Sequence, residues 1–153
     1  MKEGLSQELL ALFLPEGLLD YFTIVSYHTS SSGKDIYDKQ LELSLDEKNI
    51  IPSEYKGYAY KSCGFMEARY IEDYPIRNML VRLKVRRRRW EAIIDGKKTK
   101  VNRDWNVIEQ GTRMSEEYAA FLKENPIFVK SIGFFAFIHF RREPQRAVIK
   151  DHA

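Results

Sequence analysis

VRLKVRRRRW (residues 81–90) runs on into EAIIDGKKTKVNRDW (91–105), and the register between these segments decides the fold. Asp95-Gly96 sits between two strand-like runs and signals a two-residue hairpin turn, whose central positions need positive φ. Counting outward from that turn, Trp90 faces Val101, Arg88 faces Arg103, Arg87 faces Asp104 and Arg86 faces Trp105. Side chains alternate across a strand, so each face can be written down. One face carries Arg82, Lys84, Arg86, Arg88 and Trp90, continued on the second strand by Val101, Arg103 and Trp105. The other carries Val81, Leu83 and Val85, then Arg87 and Arg89, with Asn102, Asp104 and Asn106 across from them. The apolar strip is expected to pack inward and to end in a structural ion pair between Arg87 and Asp104. The cationic face, with both tryptophans of the protein, is expected to point outward.

The charge around this hairpin is uneven. Residues 1–75 hold 7 Lys/Arg against 13 Asp/Glu, whereas residues 76–113 hold 12 against 4. Residues 114–153 are nearly balanced, with 6 against 5, and the whole chain carries +3. A basic block in an otherwise acidic or neutral chain points to a localised anionic partner. At 153 residues, 44% hydrophobic and 31% charged, the chain is expected to hold one domain, at 1–124, with a C-terminal tail at 125–153. The single cysteine, Cys63, excludes an internal disulfide and a cysteine-rich metal site. The start lacks the layout of a signal peptide, and the most apolar stretch (127–140) contains Lys130 and is short for a membrane span. A cytoplasmic protein with no membrane partner is expected.

The remaining elements read as an α+β fold: a small antiparallel, ribbon-like sheet of hairpins, an N-terminal helix, and a helix at about 115–124. In SQELLALFLPEGLLDYF (6–22), Ser6 can cap a helix whose Leu9, Leu10, Phe13 and Leu14 recur at helical spacing. YFTIVSY (21–27) and IYDKQLELSL (36–45) read as strands joined by a serine-rich loop, and a further strand spans 65–74 and ends at Pro75. Ser115 caps the later helix, Glu116 and Glu117 suit its positive N-terminal end, and Tyr118, Phe121 and Leu122 form its buried stripe.

Arg82, Lys84, Arg86, Arg88 and Arg103 on one face suggest contact with successive phosphates, since alternate strand residues stand roughly 6.6 Å apart. Trp90 and Trp105 beside them would stack on bases or pack on sugars. Arg113, at the end of the basic block, belongs to the same expected DNA-binding set. Like charges facing each other, such as Arg88 and Arg103, destabilise a bare hairpin, and a structural role alone supplies no reason to keep them. Catalysis finds little support. His28, His139 and His152 lack the spacing of metal ligands or of a base and nucleophile, and Asp38/Glu42 or Glu72/Asp73 sit on strands where acids normally face solvent. No enzyme activity, metal or cofactor is expected.

Several motifs together resemble the N-terminal region protein encoded by the short first reading frame of certain bacterial insertion-sequence transposases. They are LPEGLLDYF (14–22), GF (64–65), IEDYPIR (71–77), RRRW (87–90), RDWN (103–106) and GTRMSEEYAAFLK (111–123). The layout is also similar to the zinc-ribbon N-domain of larger transposases, but Cys63 stands alone and no second cysteine pair follows. The resemblance implies a ribbon-like fold without zinc, and a non-catalytic subunit that binds the terminal inverted repeats of the element. It further implies a partnership with a separately encoded catalytic transposase subunit, and a nucleoid-associated location when bound to DNA. A protein–protein adaptor, docking its basic face on that catalytic subunit, is the alternative.

Overall fold

A computed structural model describes residues 3–104 and 114–125. Trp105, Arg113 and the tail assigned to 125–153, apart from Asn125, therefore lie outside the described residues. The fold class is α+β: two small sheets with short helices. Helices α1 (Glu3–Ala11) and α2 (Leu18–Tyr21) precede β1 (Phe22–Ser31) and β2 (Lys39–Glu47). After a 3-10 turn at Ser53–Tyr55 come β3 (Tyr60–Phe65), β4 (Arg69–Ile76), β5 (Met79–Arg86), β6 (Arg88–Ile94) and β7 (Lys97–Val101), and α3 (Glu116–Glu124) closes the described chain. No helix among the described residues is long and apolar enough to cross a membrane.

The Asp95-Gly96 turn forms where the sequence places it, with φ of 50° and 73° at its two residues. Two positive φ values suit an Asp-Gly hairpin, since the mirror-image turn matches the twist of its strands. The register follows the count from this turn, with Trp90 opposite Val101, Glu91 opposite Lys100 and Ile94 opposite Lys97. The ladder stops at Val101, however, so Arg88 is not paired with Arg103, nor Arg87 with Asp104, within the hairpin.

The stretch 81–90 serves two sheets. β5 lies in a four-stranded sheet of order β1-β2-β5-β4, and β6 lies in a three-stranded sheet of order β3-β6-β7. Arg87 belongs to neither ladder. This single residue shifts the alternation, so Val81, Leu83 and Val85 are buried before it and Trp90 and Ala92 after it. The inward parity passes from odd to even at Arg87, and Trp90 is wholly buried rather than presented to solvent.

The four-stranded sheet is mixed. β1 pairs antiparallel with β2, and β4 with β5, while β2 and β5 run parallel with Leu41, Leu43 and Leu45 opposite Val81, Leu83 and Val85. These aliphatic rows form the main core with Leu14, Leu18, Phe22 and Ile71. Burying each such side chain contributes roughly 1.5–3 kcal/mol. A second cluster, of Ile51, Trp90, Ala92 and Val101, lies under the three-stranded sheet. β4 continues through Pro75 to Ile76, whereas the sequence suggested an end at that proline. Pro75 falls in the irregularity between Asp73 and Ile76 on an edge strand, where a missing N–H is tolerated.

α3 docks against β4 through Ser115 and through Tyr74, whose hydroxyl donates to the Glu117 carbonyl and whose ring packs on Tyr118 and Phe121. Ser115 Oγ accepts from the Tyr118 amide at 3.3 Å, making the expected N-cap, and donates to the Asp73 carboxylate at 2.6 Å. Asp73 is thus buried under the helix rather than facing solvent as its strand position suggested. Burial pushes its carboxyl up from the ordinary value, and the Ser115 hydrogen bond opposes that rise. Tyr118, Ala119 and Leu122 form the buried stripe of α3, with Phe121 half-buried beside them.

Candidate nucleic-acid interface

The outer face of the four-stranded sheet holds the even-numbered cations of β5, but not as a surface of one sign. Register places Arg82 between Glu42 on β2 and Glu72 on β4, and Arg86 beside Asp46. Arg82 Nε donates to Glu72 at 3.1 Å. Arg86 grips both Asp46 oxygens, at 2.6 and 2.5 Å, and this hydrogen bonding holds its guanidinium above its usual pKa. Lys84 lies 6.0 Å and Arg82 5.7 Å from the Tyr70 ring centre. The face thus sets Arg82, Lys84 and Arg86 against Glu42, Asp46 and Glu72. A phosphate arriving there must displace carboxylates already in place.

The next cations belong to the junction between the sheets. Glu47, only 2% exposed, accepts from the Arg88 amide at 2.8 Å and from Arg103 Nε at 3.2 Å. The Arg88 guanidinium donates to the Glu47 carbonyl at 3.1 Å and to Ser62 Oγ at 2.8 Å, and lies over the Phe65 ring. Arg103 also donates to the Ile50 carbonyl at 2.6 Å and stacks 4.1 Å from the Tyr21 ring centre. Expected to repel one another across the hairpin, Arg88 and Arg103 instead meet at Glu47. Arg103 pairs its guanidinium with the carboxylate, while Arg88 reaches the carboxylate with its amide and the carbonyl with its side chain. A buried carboxylate is stable in this form because it is paired and hydrogen-bonded on several sides.

Two other expectations are revised at the same place. Arg87 donates to the Arg103 backbone carbonyl, and no ion pair joins it to Asp104, which is exposed. Trp90 Nε1 donates to Asn49 Oδ1 at 2.8 Å while its ring fills the second core. That ring is a packing element, out of reach of a nucleobase.

The surplus of positive charge lies on the outer face of the three-stranded sheet. Glu91 on β6 faces Lys61 on β3 and Lys100 on β7, and directly paired residues share a face. All three neighbouring lysines reach Glu91: Lys61 at 3.3 Å, Lys98 at 4.0 Å and Lys100 at 3.1 Å. Hydrogen bonds from Lys100, foremost, and from Lys61 hold the Glu91 carboxyl below its usual value, and Lys100 is raised in turn by Glu91. The lysine side chains stay 60–72% exposed while Glu91 is 15% exposed. Arg89 lies on the same face by alternation, exposed, and its side chain has no partner among the described residues. Three lysines thus surround one acid, with Arg89 further along the same face and an exposed Ile93 beside them.

The sequence contained the signal for this second face. Pairing across Asp95-Gly96 already set Lys98 and Lys100 against Ile93 and Glu91, on the side holding Arg89. Lys61 lies on β3, outside the reach of the count from that turn. Among the described residues no three His, Cys, Asp or Glu side chains gather as a metal site requires. No family model, curated protein or solved structure matches the chain.

Proposed function

We propose that the chain is a non-catalytic DNA-binding subunit that contacts the phosphate backbone through the outer face of β3, β6 and β7. The observation that carries this reading is the gathering of Lys61, Lys98 and Lys100 around Glu91, with Arg89 exposed on the same face. Glu91 draws the three lysine ammonium groups together, yet leaves them largely in water, where phosphates can reach them. Strands about 4.8 Å apart, with alternate residues roughly 6.6 Å apart, give a grid on which several phosphates of one backbone can be met together. Lysine suits this, as a point charge on a flexible stem that binds phosphate without selecting a base. The motif resemblance makes the ends of an insertion element the natural DNA, with a separately encoded catalytic subunit as partner.

The alternating ladder of Arg82, Glu72, Arg86 and Asp46 favours a second contact, to a protein. Its signs alternate as they do in protein–protein rims, so the adaptor role fits the four-stranded face better than the basic one. Fluorescence anisotropy with a labelled duplex tests the DNA reading in both directions. Glu91→Gln should tighten binding, because the three lysines lose the acid that neutralises part of their charge. Replacing Lys61, Lys98 and Lys100 together with glutamine should weaken it by up to about tenfold per cation at 0.1 M salt. Equal affinity in all three proteins would remove this face from the function.

A further inference from the structure

Edge strands carry unpaired backbone groups, and folded proteins guard them with charge, proline, irregular geometry or covering segments. Three of the four edges here are guarded. β7 (KKTKV) carries three lysines. β3 carries Lys61 and is broken in register between Ser62 and Phe65, around Gly64 with φ of 79°. β4 contains Pro75, and its Glu72 is covered by a parallel bridge to Met114 and by the Ser115 amide at 2.8 Å.

Among the described residues, β1 has none of this over most of its length. Its sequence FTIVSYHTSS contains no Lys, Arg, Asp or Glu, and every residue from Val25 to Ser31 is exposed. Val25 is 52% and Tyr27 74% exposed. Its one irregularity lies between Ile24 and Ser26, so Ser26 to Ser31 form an unbroken ladder with β2. No strand among the described residues pairs with its other side.

We propose that this edge pairs with the same edge of a second copy, antiparallel about a two-fold axis, joining two four-stranded sheets into one. Charge selects that occupant. A two-fold sets β1 against itself, so a lysine or acid near the axis would face its own copy, directly or diagonally. An uncharged strand is complementary to itself and offers nothing to recruit a charged peptide. Tyr27 and Val25 supply the apolar contacts alongside the ladder. The area is that of one strand pair, so the dimer belongs among small interfaces and exchanges at micromolar concentrations.

Sedimentation velocity on the full chain, from about 1 to 300 µM, spans the range such an interface implies. The expected result is a reversible monomer–dimer equilibrium, abolished by Tyr27→Lys with Thr29→Lys, which gives β1 the guard that β7 has. Hydrogen exchange at the amides of Ser26 to Ser31 in the unaltered protein provides an independent reading, with protection rising as concentration rises. A chain that stays monomeric throughout, or a dimer that survives both lysines, overturns the proposal. So does protection that is independent of concentration, which would mean a segment of the same chain covers the edge.

Discussion

Trp90→Phe separates a packing tryptophan from a base-stacking one. In the structure Trp90 is wholly buried against Ile51, Ala92 and Val101, and its Nε1 donates to Asn49 at 2.8 Å. Phenylalanine removes that hydrogen bond, a net loss of about 1 kcal/mol, since the exposed Asn49 can turn to water. It also leaves space where the larger ring stood, which adds about 1–2 kcal/mol because a small core closes only partly. The total of about 2–3 kcal/mol should lower the melting temperature by roughly 5–10 °C in a chain of this size. Far-UV circular dichroism during heating, and during urea titration, reads the loss without depending on tryptophan fluorescence. DNA affinity measured well below the transition should stay within about twofold, which is under 0.5 kcal/mol. A variant of unchanged stability that loses DNA binding would refute the buried placement and restore Trp90 as a stacking residue.

Other residues give equally direct expectations. Glu47→Ala leaves Arg103 and the Arg88 amide without their shared carboxylate, so urea denaturation should show a loss of about 3 kcal/mol, as for other broken buried pairs. Ser115→Ala removes both the cap of α3 and the hydroxyl that reaches Asp73, and should cost about 1–2 kcal/mol by the same measurement. Asp73 also makes stability depend on pH. Burial raises its carboxyl above the value in the unfolded chain, so the folded protein gains its proton first. The resulting stabilisation is fully present below the unfolded value and is lost as pH rises through the folded one. Asp73→Asn should flatten that part of a stability–pH profile, and an unchanged profile would place the titration elsewhere.

The turn at Asp95-Gly96, the register around it, the inward Val81, Leu83 and Val85, and the Ser115 cap were all legible in the sequence. Each depends on residues a few positions apart, where backbone preference and side-chain alternation act directly. The break at Arg87 was not read, although its trace is present. Apolar residues occupy odd positions at Val81, Leu83 and Val85, then even positions at Trp90, Ala92 and Ile94, and a strand within one sheet cannot change parity without an extra residue. The partners of the cations were hidden for another reason. Asp46 and Glu47 lie about forty residues from Arg86 and Arg88, across a parallel pairing that no local pattern specifies. The basic block was therefore visible as composition, while its division into compensated and uncompensated surfaces is a property of the tertiary fold.

The salt dependence of DNA binding tests the central claim most directly, because its slope counts phosphate contacts. If Lys61, Arg89, Lys98 and Lys100 each neutralise one phosphate, log K should fall against log salt with a slope of about −3.6 on duplex DNA. Replacing these four by glutamine should bring the slope close to zero, while Arg82→Gln with Arg86→Gln should leave it within about one unit. A slope that survives the first set and collapses with the second would contradict this assignment and return DNA to the four-stranded face.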